Sequence, residues 1–399
     1  KLAKKGDAFE GSVANGTDNY QRITLDGNKD FGNGIAARVA VMGHHNEKAG
    51  QDDGAEYKRA GIAPSITFGL DTPTRATLAY YYLKSDDTPD SGVPYQYDTV
   101  KKATVGKPVD VKQGVYYGWL DRDFQKQENQ SGTLKLEHDL TDNLTISNIA
   151  VYNKSKNNYL WTQPDDSQGN IVNGEVWRRL NTNLTSTDSF TDQLALTGKF
   201  NTGAFKHKFN VGAEYAKQDS DRGGNLVTDP NTSKIGGSSS NNNANNACSL
   251  TNSNGWCTDL NNPNSRDPWL GSITANPDVM NITSTTQSIY ALDNIEITPQ
   301  WLLDVGVRWD KFETEMDYKK DNGAIKAGTN YSSDNDFFNY QAGVTFKPTE
   351  NSSIYASFAT SANPVGVDAG DGSEGISVPG RNTTDEQARA INNLKPEEV

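Results

Sequence analysis

Long apolar runs are missing from this 399-residue sequence. No stretch approaches the roughly eighteen apolar residues that a spanning helix needs. The mean hydropathy is −0.75, so crossing a bilayer by helices is excluded. Basic character is short as well: 38 Lys and Arg against 51 Asp and Glu give a formal net charge of −13. Nucleic acid needs a basic surface, so it is not expected as a partner. Cysteine is nearly absent, with only Cys248 and Cys257 present. Two cysteines closing a small loop in an otherwise cysteine-free chain suggest a disulfide made in an oxidising compartment, the alternative being two incidental thiols. Enzyme signatures are lacking too: there is no nucleophile elbow, phosphate loop or metal-ligand cluster. His44 and His45 adjoin, but no third ligand sits at usable spacing.

What the sequence does have is alternation. In residues 301–310, Leu303, Val305, Val307 and Trp309 point one way and Asp304, Gly306, Arg308 and Asp310 the other. A strand reverses side-chain direction at each residue, so one face is apolar and the other charged. The pattern recurs, and thirteen strands are expected. The first five lie near residues 8–15, 20–26, 35–41, 57–69 and 75–85, with a turn at 27–34. The sixth carries Leu134 and Leu136, the seventh ends near Tyr152, the eighth carries Leu194 to Phe200 and the ninth Phe209 to Tyr215. The last four fall near 288–297, 301–310, 340–346 and 353–360. Long polar connections are expected at 86–128, 153–188, 219–285 and 311–336, and Ser238 to Asn246 is nearly all Ser and Asn. From Gly27 onward, tight turns and long loops alternate strictly. A soluble sandwich has no reason to keep its long loops at one end; a transmembrane antiparallel β-barrel does, because one rim is trimmed to turns while the other meets ligands. Seventeen Tyr, thirteen Phe and seven Trp suit its aromatic girdles. Lys1-Leu-Ala-Lys-Lys lacks the apolar core of a signal peptide, the end at Lys395-Pro-Glu-Glu-Val is abrupt, and thirteen is an odd count. The expectation is an internal segment of a longer barrel.

Several stretches match one family in chain order, from about residue 8 to 397. Ala63-Pro-Ser-Ile-Thr-Phe-Gly-Leu-Asp-Thr-Pro-Thr-Arg-Ala-Thr-Leu-Ala-Tyr-Tyr-Tyr resembles the fourth and fifth barrel strands of TonB-dependent siderophore receptors. Ser91-Gly-Val-Pro-Tyr, Leu134-Lys-Leu-Glu-His-Asp-Leu, His207-Lys-Phe-Asn-Val-Gly-Ala-Glu-Tyr, Tyr290-Ala-Leu-Asp with Val305-Gly-Val-Arg-Trp-Asp, Tyr355-Ala-Ser-Phe-Ala-Thr and Leu394-Lys-Pro-Glu are similar to its later elements. Gly114-Val-Tyr-Tyr-Gly-Trp-Leu-Asp-Arg-Asp-Phe, with residues 361–380, is most similar to the catecholate branch.

The resemblance implies a 22-stranded barrel closed by an N-terminal plug. Residues 1–399 would be part of the barrel domain, with plug and TonB box outside them and about nine strands still to come. It further implies a monomer among the lipids of a Gram-negative outer membrane. Ferric siderophore would bind between extracellular loops and plug, and TonB–ExbB–ExbD would drive uptake through the N-terminal region. No protein cofactor or metal site is implied, because iron arrives inside the ligand. Ferric catecholates are anionic and flat-ringed, which suits stacking aromatics and arginines. Tyr95, Tyr97, Tyr116, Tyr117, Trp119, Arg122, Trp161, Trp177, Arg178 and Arg179 are the candidates, the alternative being an interfacial girdle. Lumen-facing Arg38, Lys135, Glu137, Lys199, Glu214, Arg308 and Asp310 would meet the plug, or else pair with neighbouring strands. The rivals are a passive porin-like channel for small polar solutes and a surface adhesion or phage-binding barrel.

Overall fold

The computed structural model describes residues 1–51, 53–98, 100–101, 103–166, 169–229, 234–236, 248, 256–322, 326–363 and 397–398. Its strands are β1 (Ala8–Asn15), β2 (Gln21–Gly32), β3 (Ile35–Glu47), β4 (Glu56–Phe68), β5 (Thr74–Thr88), β6 (Tyr95–Asp98), β7 (Ala103–Pro108), β8 (Phe124–Thr141), β9 (Leu144–Asp165), β10 (Glu175–Thr202), β11 (Phe205–Asp229), β12 (Lys234–Gly236), β13 (Cys257–Asp259), β14 (Ser272–Thr298), β15 (Trp301–Tyr318), β16 (Asn330–Thr349), β17 (Ser352–Ala359), β18 (Ala362–Asn363) and β19 (Glu397–Glu398). One sheet runs β1-β2-β3-β4-β5-β8-β9-β10-β11-β14-β15-β16-β17, with β12 on β11 and β13 on β10, while β6–β7 and β18–β19 form separate two-stranded sheets. All thirteen expected strands are present in the expected order, each antiparallel to the next. No α-helix occurs among the described residues.

Register fixes which side chains share a face. Leu78 lies opposite Leu134, which lies opposite Ala150; Leu194 lies opposite Ala213 and Ala213 opposite Ile289. These side chains belong to an outer belt of exposed apolar groups, interrupted between β9 and β10 by Asn148 and Asp192: Leu78 is 50 %, Leu194 47 % and Ile289 58 % exposed. An exposed apolar band of that extent on a soluble protein would drive aggregation, whereas it suits a barrel face turned to lipid. Aromatic groups edge the belt on both sides. Two aromatic pairs lie at the turn end, Phe200 with Phe209 at 5.7 Å and Trp301 stacked on Phe346 at 4.4 Å. Tyr82, Tyr152, Tyr215 and Trp309 lie at the other end on the same face. The opposite face is polar. There Tyr290 lies across Gly212, its register partner. Its hydroxyl accepts a hydrogen bond from Gln193 Nε2 at 3.0 Å. A Cβ at Gly212 would sit 2.5 Å from Tyr290 Oη, so glycine is what lets the ring lie flat.

Two expectations are corrected. Residues 27–34 are not a turn: β2 continues to Gly32, and only Asn33 and Gly34 turn the chain, at φ 52° and 78°. The N-terminal segment holds the extra length in place. Asn28 Nδ2 donates to Lys4 O and Gly6 O at 2.7 and 2.6 Å, and Asp30 N donates to Asp7 at 2.9 Å. Nor are the long connections mainly loop. β10 has 28 residues, β14 27, β11 25 and β9 22, where about ten cross a bilayer. Beyond the belt both faces of a strand meet water, so hydropathy loses its period of two and the sequence gives no sign that pairing continues. Lys154 still pairs with Asp188 and Asn158 with Leu184. At about 3.3 Å per residue, β10 is roughly 90 Å long, and these extensions carry the candidate site.

Candidate ligand-binding site

At the long-loop end, residues between β7 and β8 and residues after β13 fold against the extensions of β9 and β10. Their core is built on two arginines. Arg178 is 0 % and Arg122 1 % exposed. The Arg178 guanidinium lies 4.3 Å from the Trp119 ring centroid, and Arg122 lies 5.0 Å from Trp119 and 5.1 Å from Trp256. Trp269 meets Trp119 edge-on at 5.1 Å, and Trp177 stacks on Trp256 at 5.5 Å.

Buried cations need compensation, and the chain supplies it. Arg178 donates to the Asp267 carboxylate, to Asn264 O at 3.1 Å and to Cys257 O at 3.4 Å. Arg122 donates to Asp123 Oδ1 at 2.8 Å and Thr162 Oγ1 at 2.7 Å. Asp123 Oδ2 in turn accepts from Trp119 N and Thr162 N at 3.0 and 2.9 Å, which ties the loop to β9. Burial holds the Arg178 pKa below its ordinary value, with Asp267 opposing the shift. The Tyr117 hydroxyl, which donates to Leu260 O at 2.6 Å, is pushed up to about 12 by burial. Tyr116 donates to Pro89 O at 3.1 Å, and burial raises its pKa further still. Cys257 pairs in register with Trp177 and is disulfide-bonded to Cys248. That bond anchors the second loop beside the arginines.

Of the ten candidate ligand residues, the structure gathers Tyr116, Tyr117, Trp119, Arg122, Trp177 and Arg178 into this buried core. The other four lie outside it. Tyr95 is half exposed on β6, and Tyr97 N donates to Asp166 at 2.8 Å. Trp161 stacks on Tyr159 at 4.2 Å. Arg179, next to Arg178 but on the other face of β10, pairs with Asp165 at 3.1 Å and keeps a third of its side chain exposed. Sequence reasoning missed Trp256, Trp269, Asp123 and Asp267. One signal was available: Trp256 is a rare residue type beside a cysteine, at the end of an Asn-rich stretch.

Along the inner wall, the lumen candidates mostly engage neighbouring groups. Arg38 grips Asp26 with two hydrogen bonds of 2.7 Å, and Lys1 joins that carboxylate at 2.9 Å. Arg308 reaches Asp310 at 2.8 Å, Glu214 at 3.0 Å and Ser288 at 2.7 Å. Lys135 pairs with Glu137 at 2.9 Å. Lys199 lies opposite Lys208 in register. A groove of about 390 Å³ runs along this wall beside Arg308, lined by Gln193, Asn210, Tyr290, Asn339 and Gln341. The N-terminal residues also lie on the wall, with Ala3 N donating to Ser65 Oγ at 2.8 Å and Ala3 O accepting from Thr67 at 3.0 Å. His44 and His45 bond Asn46 and Glu56 at 2.7 and 2.8 Å.

Known proteins share this architecture. Residues 64–399 match the family described as TonB dependent receptor-like, beta-barrel. A probable TonB-dependent siderophore receptor, PiuA of Acinetobacter baumannii, is 61 % identical over 395 residues, covering 98 % of this chain and 51 % of the relative. The catecholate siderophore receptor Fiu of Escherichia coli K12 is 28 % identical over 396 residues, covering 92 % of this chain and 48 % of Fiu. The crystal structure of PiuA superposes with a TM-score of 0.89 at 60 % identity, over 100 % of this chain and 54 % of that one. The open form of Fiu gives 0.75 at 27 % identity, over 91 % and 56 %. The chain thus spans about half the length of the curated relatives it matches. These relatives are receptors and not enzymes. On the strength of that match and of the sheet it describes, the chain belongs to the TonB-dependent receptor family and contributes to its β-barrel.

Proposed function

We propose that this barrel sits in the outer membrane of a Gram-negative cell and imports ferric siderophore, of the catecholate type, with energy delivered through TonB–ExbB–ExbD. Residues 1–399 serve as part of the barrel domain of a longer, monomeric protein whose plug meets the inner wall. The observation that carries this reading is 61 % identity to a probable siderophore receptor across 98 % of the chain. The geometry adds support. The buried Arg122–Arg178–Trp core holds the cap rigid, and Tyr95, Tyr97, Trp161 and Arg179 keep surface with which to stack on catecholate rings and offset their charge. Iron travels inside the ligand, so the reading needs no resident metal or cofactor. The test is a binding titration of the full-length receptor with a ferric catecholate, followed by tryptophan fluorescence. Saturable quenching by the ferric form, and a weaker effect of the iron-free form, is the expected result. Absence of saturation with any ferric catecholate, together with solute flux through reconstituted vesicles, would favour the passive channel instead.

A further inference from the structure

Cations on the inner wall are mostly matched by carboxylates of the wall itself. Arg38 pairs with Asp26, Arg75 with Asp139 and Lys135 with Glu137. Near the turn end the matching breaks down. Lys199 on β10 and Lys208 on β11 stand directly opposite each other in an unbroken register. Side chains so placed have Cβ atoms about 5 Å apart, and like charges there repel. Both residues are exposed, and neither is in an ion pair among the described residues.

Nearby carboxylates do not resolve the repulsion. Glu296 pairs with its register partner Lys206 at 2.8 Å and is also within electrostatic reach of Lys208 and Lys347. One acid thus faces three lysines. Asp304, across Asn294 from Lys208, accepts the Asn294 amide at 2.5 Å. Asp142 lies in the exposed turn between β8 and β9, whose Asn143 O holds Lys199 N at 2.9 Å.

A directly opposed lysine pair suits one acceptor with two oxygens, each ammonium donating to one of them, which describes a carboxylate. Such an acceptor has to come from the lumen. The N-terminal residues show what polypeptide lies on that face. Leu2 O accepts from Arg38 Nη1 at 3.4 Å, Ala3 N donates to Ser65 Oγ at 2.8 Å and Lys4 N to Asn28 Oδ1 at 3.0 Å, all three side chains belonging to the inner wall. In the longer protein proposed above, the segment ahead of Lys1 thus leaves from inside the barrel.

We propose that Lys199 and Lys208 together hold a carboxylate side chain of the plug, which clamps β10 and β11 at the turn end. The inference rests on the reading that a plug meets the inner wall, and not on which ligand is carried.

The test is zero-length coupling of the full-length receptor in detergent with a water-soluble carbodiimide, followed by peptide mapping. The reagent joins an amine only to a carboxylate in contact with it. The Lys206–Glu296 pair is the internal control, since its link should form in every sample. The expected result is a link from Lys199 or Lys208 to an Asp or Glu ahead of Lys1. K199Q should keep the Lys208 link and K208Q the Lys199 link, while the double variant should lose both and keep the control. Links only to carboxylates within residues 1–399, such as Asp142 or Asp304, overturn the proposal. So does the absence of any link from the pair while the control forms. Loss of these links, but not of the control, in millimolar inorganic sulfate also overturns it, since the pair would then be a small-anion site. A bulky sulfonated amine reagent tells failure of the plug reading apart. With the lumen open it would label Lys199 and Lys208 as fast as Lys101, whose side chain is 81 % exposed; with the lumen filled, the pair is shielded whether or not it couples.

Discussion

Replacing Arg178 by alanine should open the extracellular cap while leaving the membrane belt intact. The side chain is fully buried, with hydrogen bonds to Asp267, Asn264 O and Cys257 O and its guanidinium over Trp119. A desolvated cation–π contact contributes about 2 kcal/mol. Leaving a buried partner unsatisfied costs about 1–3 kcal/mol, more for a charged one. Asp267 keeps 31 % of its side chain exposed, so water relieves part of its loss, and about 3–4 kcal/mol is a fair total. At about 1.4 kcal/mol per tenfold, protection of the Trp119 to Asp123 amides against hydrogen exchange should fall by roughly two to three orders of magnitude. Amides of β15 within the belt should not change. The readout is exchange followed by mass spectrometry on the full-length receptor in detergent. Unchanged protection in R178A would refute the structural role assigned to Arg178. Global loss of protection would refute the separation of cap from belt.

Arg179 is the contrasting neighbour: its partly exposed pair with Asp165 contributes at most about 1 kcal/mol, so R179A should keep cap protection but raise the Kd for ferric catecholate. In C248S/C257S the bond across a separation of nine residues is lost, and the chain-entropy relation assigns it about 2.7 kcal/mol; exchange should rise at residues 256–260. G212A pushes a methyl into Tyr290, and overpacking of this kind costs about 1–3 kcal/mol, read as a lower urea midpoint for the barrel in vesicles. Asp90 gives a pH dependence. Burial would raise its pKa, but Lys48, the Gly92 N–H and the Gln51 amide outweigh burial and hold it below 3.8. The stabilisation is therefore present above pH 3.8 and lost as pH falls through the lowered value, so residues 48–51 should open at acid pH, and D90N should be open already at neutral pH.

The belt was legible because lipid on one side and a polar wall on the other enforce a period of two, as Leu303, Val305, Val307 and Trp309 display. The short turns were legible for the same reason, since each interrupts that period, apart from the one expected at residues 27–34, where β2 runs on to Gly32. The extensions were not. Asn153 to Asn158 is polar on both faces yet continues β9 in register with β10, because ladder hydrogen bonds make no demand on hydropathy. The ten aromatic and arginine candidates all fall at the long-loop end, but sequence could not say which of them are buried together. Arg178 and Arg179 adjoin, and strand alternation sends one into the tryptophan core and the other toward water. What buries Arg178 comes from Trp119, some sixty residues back, and from Cys257 to Asp267, some eighty residues on. The wall pairs were open for a similar reason: Glu214 and Arg308 are 94 residues apart and meet only through β14.

Uptake of iron-55 carried by a ferric catecholate, into iron-starved cells whose only such receptor is the full-length protein, tests the central claim most directly. Saturable uptake that disappears when TonB is disrupted is the predicted result. Uptake that rises linearly with concentration and persists without TonB, or no uptake at all, would contradict it.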